Sequence, residues 1–237
     1  MAGTNENKHM KFRIAALLLS ALFFLQACSR KEYKNNFNDP ILFSKTVKEL
    51  NNVVMQNGFP PIIASRNYAY ACIAAYETVV LGDNRFQTLA GQIEHLPAMP
   101  KLDTADVNFQ YASMLAFCKV GEAVTFPKGS MKEYVNRLDS IANADNMSAS
   151  MQEASKRLAD SVTSHILRWS KNDNYAQTRT AEKYNITNEE GRWVPTAPSY
   201  AQALEPHWNE IRTMIMDSAS QFTPPRPPAF DMKNVWV

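Results

Sequence analysis

A chain of 237 residues with 45% apolar composition can bury one substantial core, or a core with a small appendage, and seven glycines are too few for the many turns of a sheet-rich fold. The formal charge of +2 is a property of the N-terminus: residues 1–27 hold Lys8, Lys11 and Arg13 against Glu6, and the remainder carries 22 basic and 22 acidic residues. That balance excludes the basic surface nucleic-acid binding requires.

From Met10 the chain reads MKFRIAALLLSALFFLQACSRKEYKNN. A short basic region precedes an apolar run from Ile14 to Leu25, followed by Leu25-Gln26-Ala27-Cys28. The run is short for a bilayer span and suits a signal-peptide core. The pattern resembles a bacterial lipoprotein signal, in which the cysteine becomes the acylated first residue of the mature chain. Residues 1–27 are therefore expected to be a signal peptide and Cys28 a lipidation site. Buried acyl chains contribute roughly 0.8 kcal/mol per CH₂, so the expected location is the bacterial cell envelope, lipid-anchored and facing the periplasm or the cell surface. Residues 28–38 then form a polar tether.

Asp39 before Pro40 is a helix start, and Phe43, Val47, Leu50 and Val54 recur at helical spacing until Asn57-Gly58. Residues 60–81, PPIIASRNYAYACIAAYETVVL, are apolar almost all round, as in a central helix wrapped by others. A third helix is expected from Asp103 or Thr104 to about Thr125, ahead of Pro127. A fourth follows Gly129-Ser130, with Tyr134, Leu138 and Ile141 on one face. Ser148 or Ser150 caps a fifth, with Ala154, Leu158, Val162, His165, Ile166 and Trp169 on one stripe. The region reads as an antiparallel α bundle with short connections. Beyond Asn174 the chain turns irregular and rich in Pro and Trp, with a short helix expected from about Trp208 to Ser218. The segment SASQFTPPRPPAF, residues 218–230, reads as an extended connector.

Little in this sequence announces chemistry. His95, His165 and His207 show no metal-ligand spacing, and there is no G-x-S-x-G, phosphate loop or C-x-x-C. No catalytic, cofactor-binding or metal residue is expected. His165 and His207 read as packed side chains. Cys72 and Cys118 lie in apolar helical runs, where buried free thiols are commoner than a disulfide.

Two stretches carry a family resemblance. One is PPIIASRNYAYACIAAYETVV; the other is GRWVPTAPSYAQALEPHWNEIRTMIMDSASQFTPPRPPAFD. Both resemble the N-terminal half of bacterial proteins of the vanadium-dependent haloperoxidase and type 2 phosphatidic acid phosphatase superfamily. The resemblance implies that residues 39–231 are a helical supporting domain. A second bundle would then hold vanadate or a substrate phosphate, using a Lys with an Arg-Pro, a Pro-Ser-Gly-His, and an Arg with a later His. None of these motifs is in the chain: Arg226-Pro227 lacks its lysine, and Ser164-His165 lacks the glycine. The expectation is a membrane-anchored structural half, inactive by itself, with residues 232–237 as a truncated tail and no cofactor of its own. Its partners would be the membrane and either the missing catalytic half or a second copy. The alternative is a stand-alone helical lipoprotein binding a partner or ligand, with Trp169, Trp193, Trp208, Trp236 and Tyr200 lining a groove. The two differ in exposed apolar area: large for a half, bounded to one cleft for a binding module.

Overall fold

The computed structural model describes residues 32–187 and 189–225. The signal peptide, Cys28, Arg226-Pro227, Trp236 and the tail 232–237 lie outside the described residues. The chain divides into two compact units, Met1–Lys34 and Asn35–Val237. Of the first only Glu32–Lys34 are described, so the architecture below is that of the second.

Six helices pack together, and the described residues form no strand, only an isolated bridge between Ala90 and Ile93. The all-α class expected from the sequence is the class observed. α1 is Pro40–Gln56, α2 Pro61–Val80, α3 Phe109–Val124, α4 Lys132–Ala144, α5 Ala149–Ser170, and α6 the short Tyr175–Thr178. Local chemistry sets their ends. The Asp39 carboxylate accepts from the Ile41 N–H at 2.9 Å, with Pro40 in the first turn where its missing donor costs nothing. Gly58 at φ 63° closes α1 in the left-handed region. Ser148 caps α5 by accepting from the Met151 N–H at 3.1 Å.

α3 is the innermost helix: every residue from Tyr111 to Cys118 is buried, and it touches α1, α2, α4 and α5. The sequence pointed instead to α2 as the wrapped element. α2 has its largest interface with α3, yet keeps an exposed edge at Pro61, Ser65 and Cys72. Gly121 lets α1 approach α3, because a Cβ there would meet Leu50 Cδ2 at 2.9 Å. Leu50, Leu115 and Leu138 are fully enclosed, each contributing roughly 1.5–3 kcal/mol by burial. The stripe expected on α5 (Ala154, Leu158, Val162, His165, Ile166, Trp169) is buried throughout.

Two expected boundaries differ. α3 starts at Phe109, not at Asp103 or Thr104, because Asn108 is the working cap: its side chain accepts from the Tyr111 N–H at 2.8 Å. The expected helix over 208–218 is a single 3₁₀ turn, Trp208–Glu210. There the backbone is used elsewhere: the Arg212 N–H donates to Asp173 O, and Met214 O accepts from the Glu94 N–H, both at 2.9 Å. No helix among the described residues is long and apolar enough to cross a membrane.

Candidate functional site

Residues four apart on a helix share a face, and α2 uses this to present Arg66 and Tyr70 together. They meet Asp173, three residues past α5, whose side chain is 1% exposed. Arg66 Nε donates to Asp173 Oδ2 at 2.6 Å, and the Tyr70 hydroxyl donates to the same oxygen at 2.8 Å. The Tyr175 N–H donates to Oδ1 at 3.0 Å. Arg212 completes the cluster, its guanidinium donating to Trp169 O at 3.2 Å and to the Tyr70 hydroxyl at 3.1 Å. Aromatic faces receive both cations: Arg66 lies 4.2 Å from the Tyr175 centroid, Arg212 4.4 Å from that of Trp169.

This arrangement is better suited to fastening than to catalysis. Asp173 accepts three donors: an arginine, a tyrosine hydroxyl and a backbone N–H. Burial, then the charge and hydrogen bond of Asp173, push the Tyr70 hydroxyl far above its ordinary value, so it stays protonated. The cluster joins α2, the α5–α6 junction and the strand-free segment around residue 212. A cavity of about 510 Å³ beside it is lined by Ser65, Arg66, Tyr70, Asp173, Trp208 and Arg212 among others, and by no histidine.

His207 forms a second polar centre. Its Nδ1 lies 2.8 Å from Glu210 Oε1 and its Nε2 2.7 Å from Glu182 O. Both neighbours are acceptors, so both bonds form together only in the imidazolium. Its pKa is raised, first by the bond to Glu182 O and then by that to Glu210. Nearby, Arg179 pairs with both carboxylate oxygens of Glu205 and stacks 4.6 Å from the Tyr175 centroid.

The remaining candidates scatter. His165 is buried, with Nε2 2.9 Å from Pro97 O, and anchors a loop. Cys118 is a buried free thiol pushed well above its ordinary pKa by burial. Cys72 is also a free thiol, but at the surface, contrary to the expectation from its apolar run. Of the residues expected to line an aromatic groove, Trp169 is buried against Tyr70 at 5.1 Å, Trp193 and Tyr200 stand exposed, and Trp236 lies outside the described residues. Sequence reading missed the Asp173 cluster altogether. Its only local signal was the four-residue spacing of Arg66 and Tyr70.

The chain matches no family model, and no curated protein is detectably similar to it. Among solved structures it superposes on the crystal structure of the first bacterial vanadium-dependent iodoperoxidase with a TM-score of 0.79 and 33% sequence identity. This chain is similar to part of a vanadium-dependent iodoperoxidase. The match covers 86% of this chain and 49% of that one, so the chain spans about half the iodoperoxidase's length. A haloperoxidase relative invites the question whether the Arg66–Arg212 pair suits an oxyanion. It does not: Asp173 sits 2.6 Å from Arg66, the terminal nitrogens of Arg212 donate to backbone carbonyls and the Tyr70 hydroxyl, and an anion would face the carboxylate. Among the described residues no group of three or more His, Cys, Asp or Glu is placed to hold a metal ion.

Proposed function

We propose that residues 39–231 are the N-terminal, structural half of a haloperoxidase or phosphatase whose oxyanion-binding half lies outside this chain, and that a lipid on Cys28 anchors it in a bacterial cell envelope. The observation that carries this reading is the match at 33% identity over 86% of this chain and only 49% of the iodoperoxidase. The sequence supports it, since the Lys with Arg-Pro, Pro-Ser-Gly-His and Arg with later His of the superfamily are not among these residues. Positioned charge does the work in oxyanion chemistry. Around the two polar centres, Arg66 is paired with Asp173 and Arg179 with Glu205, and Arg212 donates to a backbone carbonyl. Vanadate, in a full-length relative that uses it, belongs to the other half. The role of this chain is to support that half.

Residues 28–237 supplied with vanadate, hydrogen peroxide and iodide or bromide, or with a phosphate monoester, are expected to turn over nothing above a heat-denatured control. Turnover would sink the reading. A stand-alone binding lipoprotein is the second reading. On its side stands an apolar cavity of about 480 Å³ between Phe37, Phe43, Tyr76, Val79, Phe86 and Met114.

A further inference from the structure

Residues 181–225 invert the pattern of the bundle. None of the described residues in this stretch is buried, and nine of its large apolar side chains are exposed. Tyr200 is 66%, Leu204 68%, Ile215 78% and Phe222 77% exposed. Between residues 35 and 180 only Ile41, Met55, Phe86 and Phe126 behave this way. Single exposed apolar residues are ordinary, but a concentration in one segment marks a surface made to be covered. Tyr200, Leu204, Ile215 and Phe222 leave most of their apolar surface in water, where burial against a partner would stabilise them.

The segment also has shape. Tyr184 and Trp193 meet edge to face at 5.5 Å, and with Leu204 and Pro206 they line a cavity of about 530 Å³. Part of its charge is paired within the chain: Glu205 with Arg179, Arg192 with Glu189, and His207 with Glu210. No charged side chain lines that cavity, so what it offers an occupant is chiefly apolar contact. Apart from the turn Trp208–Glu210 the stretch has no regular structure, and loops of such length are uncommon in a compact body unless they are functional.

We propose that the surface built by Tyr184, Trp193, Tyr200 and Leu204 is the seat of the other half of the longer protein, a helical body presenting a neutral apolar face. This rests on the reading of the chain as a structural half. Half of the iodoperoxidase lies outside the match, which supplies a body of the right size. On that reading the covering half follows residue 231, so the exposed segment is its nearest neighbour along the chain. A tethered partner docks at high effective concentration. A cavity lined by no charged side chain fits such a permanent interface better than a transient one.

The test uses residues 28–237, the triple variant Trp193→Ser/Tyr200→Ser/Leu204→Ser, and a control Ile41→Ser/Met55→Ser. Binding of a hydrophobic dye, thermal unfolding and sedimentation velocity are measured on each. The chain is expected to be a monomer whose dye fluorescence falls about twofold or more in the triple variant and little in the control. Its Tm should stay unchanged, because exposed residues contribute little to stability. In a chimaera that continues residue 231 with the iodoperoxidase half outside the match, dye binding should fall as it does in the triple variant. A dimer that the triple substitution dissociates would overturn the proposal in favour of a second copy. A drop in Tm of the triple variant would overturn it too, since the residues would then be packed within this chain. A folded chimaera that binds dye like the parent chain would be equally fatal, and the sedimentation result decides whether or not the chimaera folds. Iodide turnover by residues 28–237 would end the structural-half reading without altering any of these measurements.

Discussion

Two long stretches of this protein lack regular structure, residues 81–108 and residues 181–225, and the bundle treats them differently. The first is drawn inward by polar groups staged on the helices. Glu77, buried on α2, accepts from the Thr88 hydroxyl at 2.8 Å and the Leu89 N–H at 2.7 Å. His165 and Trp169 of α5 bind Pro97 O and Glu94 O at 2.9 and 3.1 Å. With its backbone satisfied, this loop buries Leu96 and exposes one large apolar side chain, Phe86. The second stretch is tied at a few points around Arg212, Met214 and His207, and none of its described residues is buried. A loop folds onto a core when the core offers partners for its peptide groups. Residues 81–108 receive that offer from the bundle, and residues 181–225 receive little of it.

The largest effect should come from the knot that ties the second stretch down. Asp173→Ala leaves Arg66, whose side chain is 9% exposed, without its carboxylate. Breaking one partner of a buried pair costs about 3–5 kcal/mol, read by urea unfolding of residues 28–237. The same variant should expose the chain near Arg212 to protease, because Arg212 is held by the Tyr70 hydroxyl that the Asp173 carboxylate orients; its backbone bond to the Asp173 carbonyl remains. Glu77→Ala attacks the first stretch instead. It leaves the Leu89 N–H and Thr88 hydroxyl without their acceptor, at a cost of about 1–3 kcal/mol. Hydrogen exchange should accelerate at residues 87–90 and stay unchanged at 181–225. If Glu77→Ala loosened both stretches equally, the contrast between them would be wrong.

How much of this the sequence disclosed depends on the range of the interaction involved. The helices were legible because their information is local: Asp39-Pro40, Asn57-Gly58 and Ser148 are stop and start signals, and the stripe from Ala154 to Trp169 is a period. The start of α3 was misplaced because Asp103, Thr104 and Asn108 can all cap. The choice of Asn108 is tertiary in part, since its N–H also donates to Ser155 Oγ at 2.9 Å. The helix expected at 208–218 failed for a related reason, its peptide groups being taken by Asp173 and Glu94. The Asp173 cluster joins residues 107 and 142 positions apart, Arg66 with Asp173 and Tyr70 with Arg212, which no local pattern encodes. The family resemblance was legible in the second stretch itself, from tryptophan and proline spacings that make no buried core in this chain.

The smallest expected effect isolates a single tie of the second stretch. His207 bridges Glu182 O and the Glu210 carboxylate, with the Arg179–Glu205 pair and Lys183 around the same cavity of about 290 Å³. Its folded pKa lies above the ordinary 6.5. The clamp is therefore complete below that value and is lost as pH rises through the raised folded pKa, when deprotonation removes one of the two donors. Proteolysis between residues 182 and 210 should quicken over that interval in the parent chain. In His207→Gln it should be fast and flat with pH, because the titrating group is gone. Cleavage at residues 81–108 should be the same in the parent chain and in His207→Gln, since that stretch is held by Glu77, His165 and Trp169 without His207. A change at both stretches on His207→Gln would mean that the two are not independent.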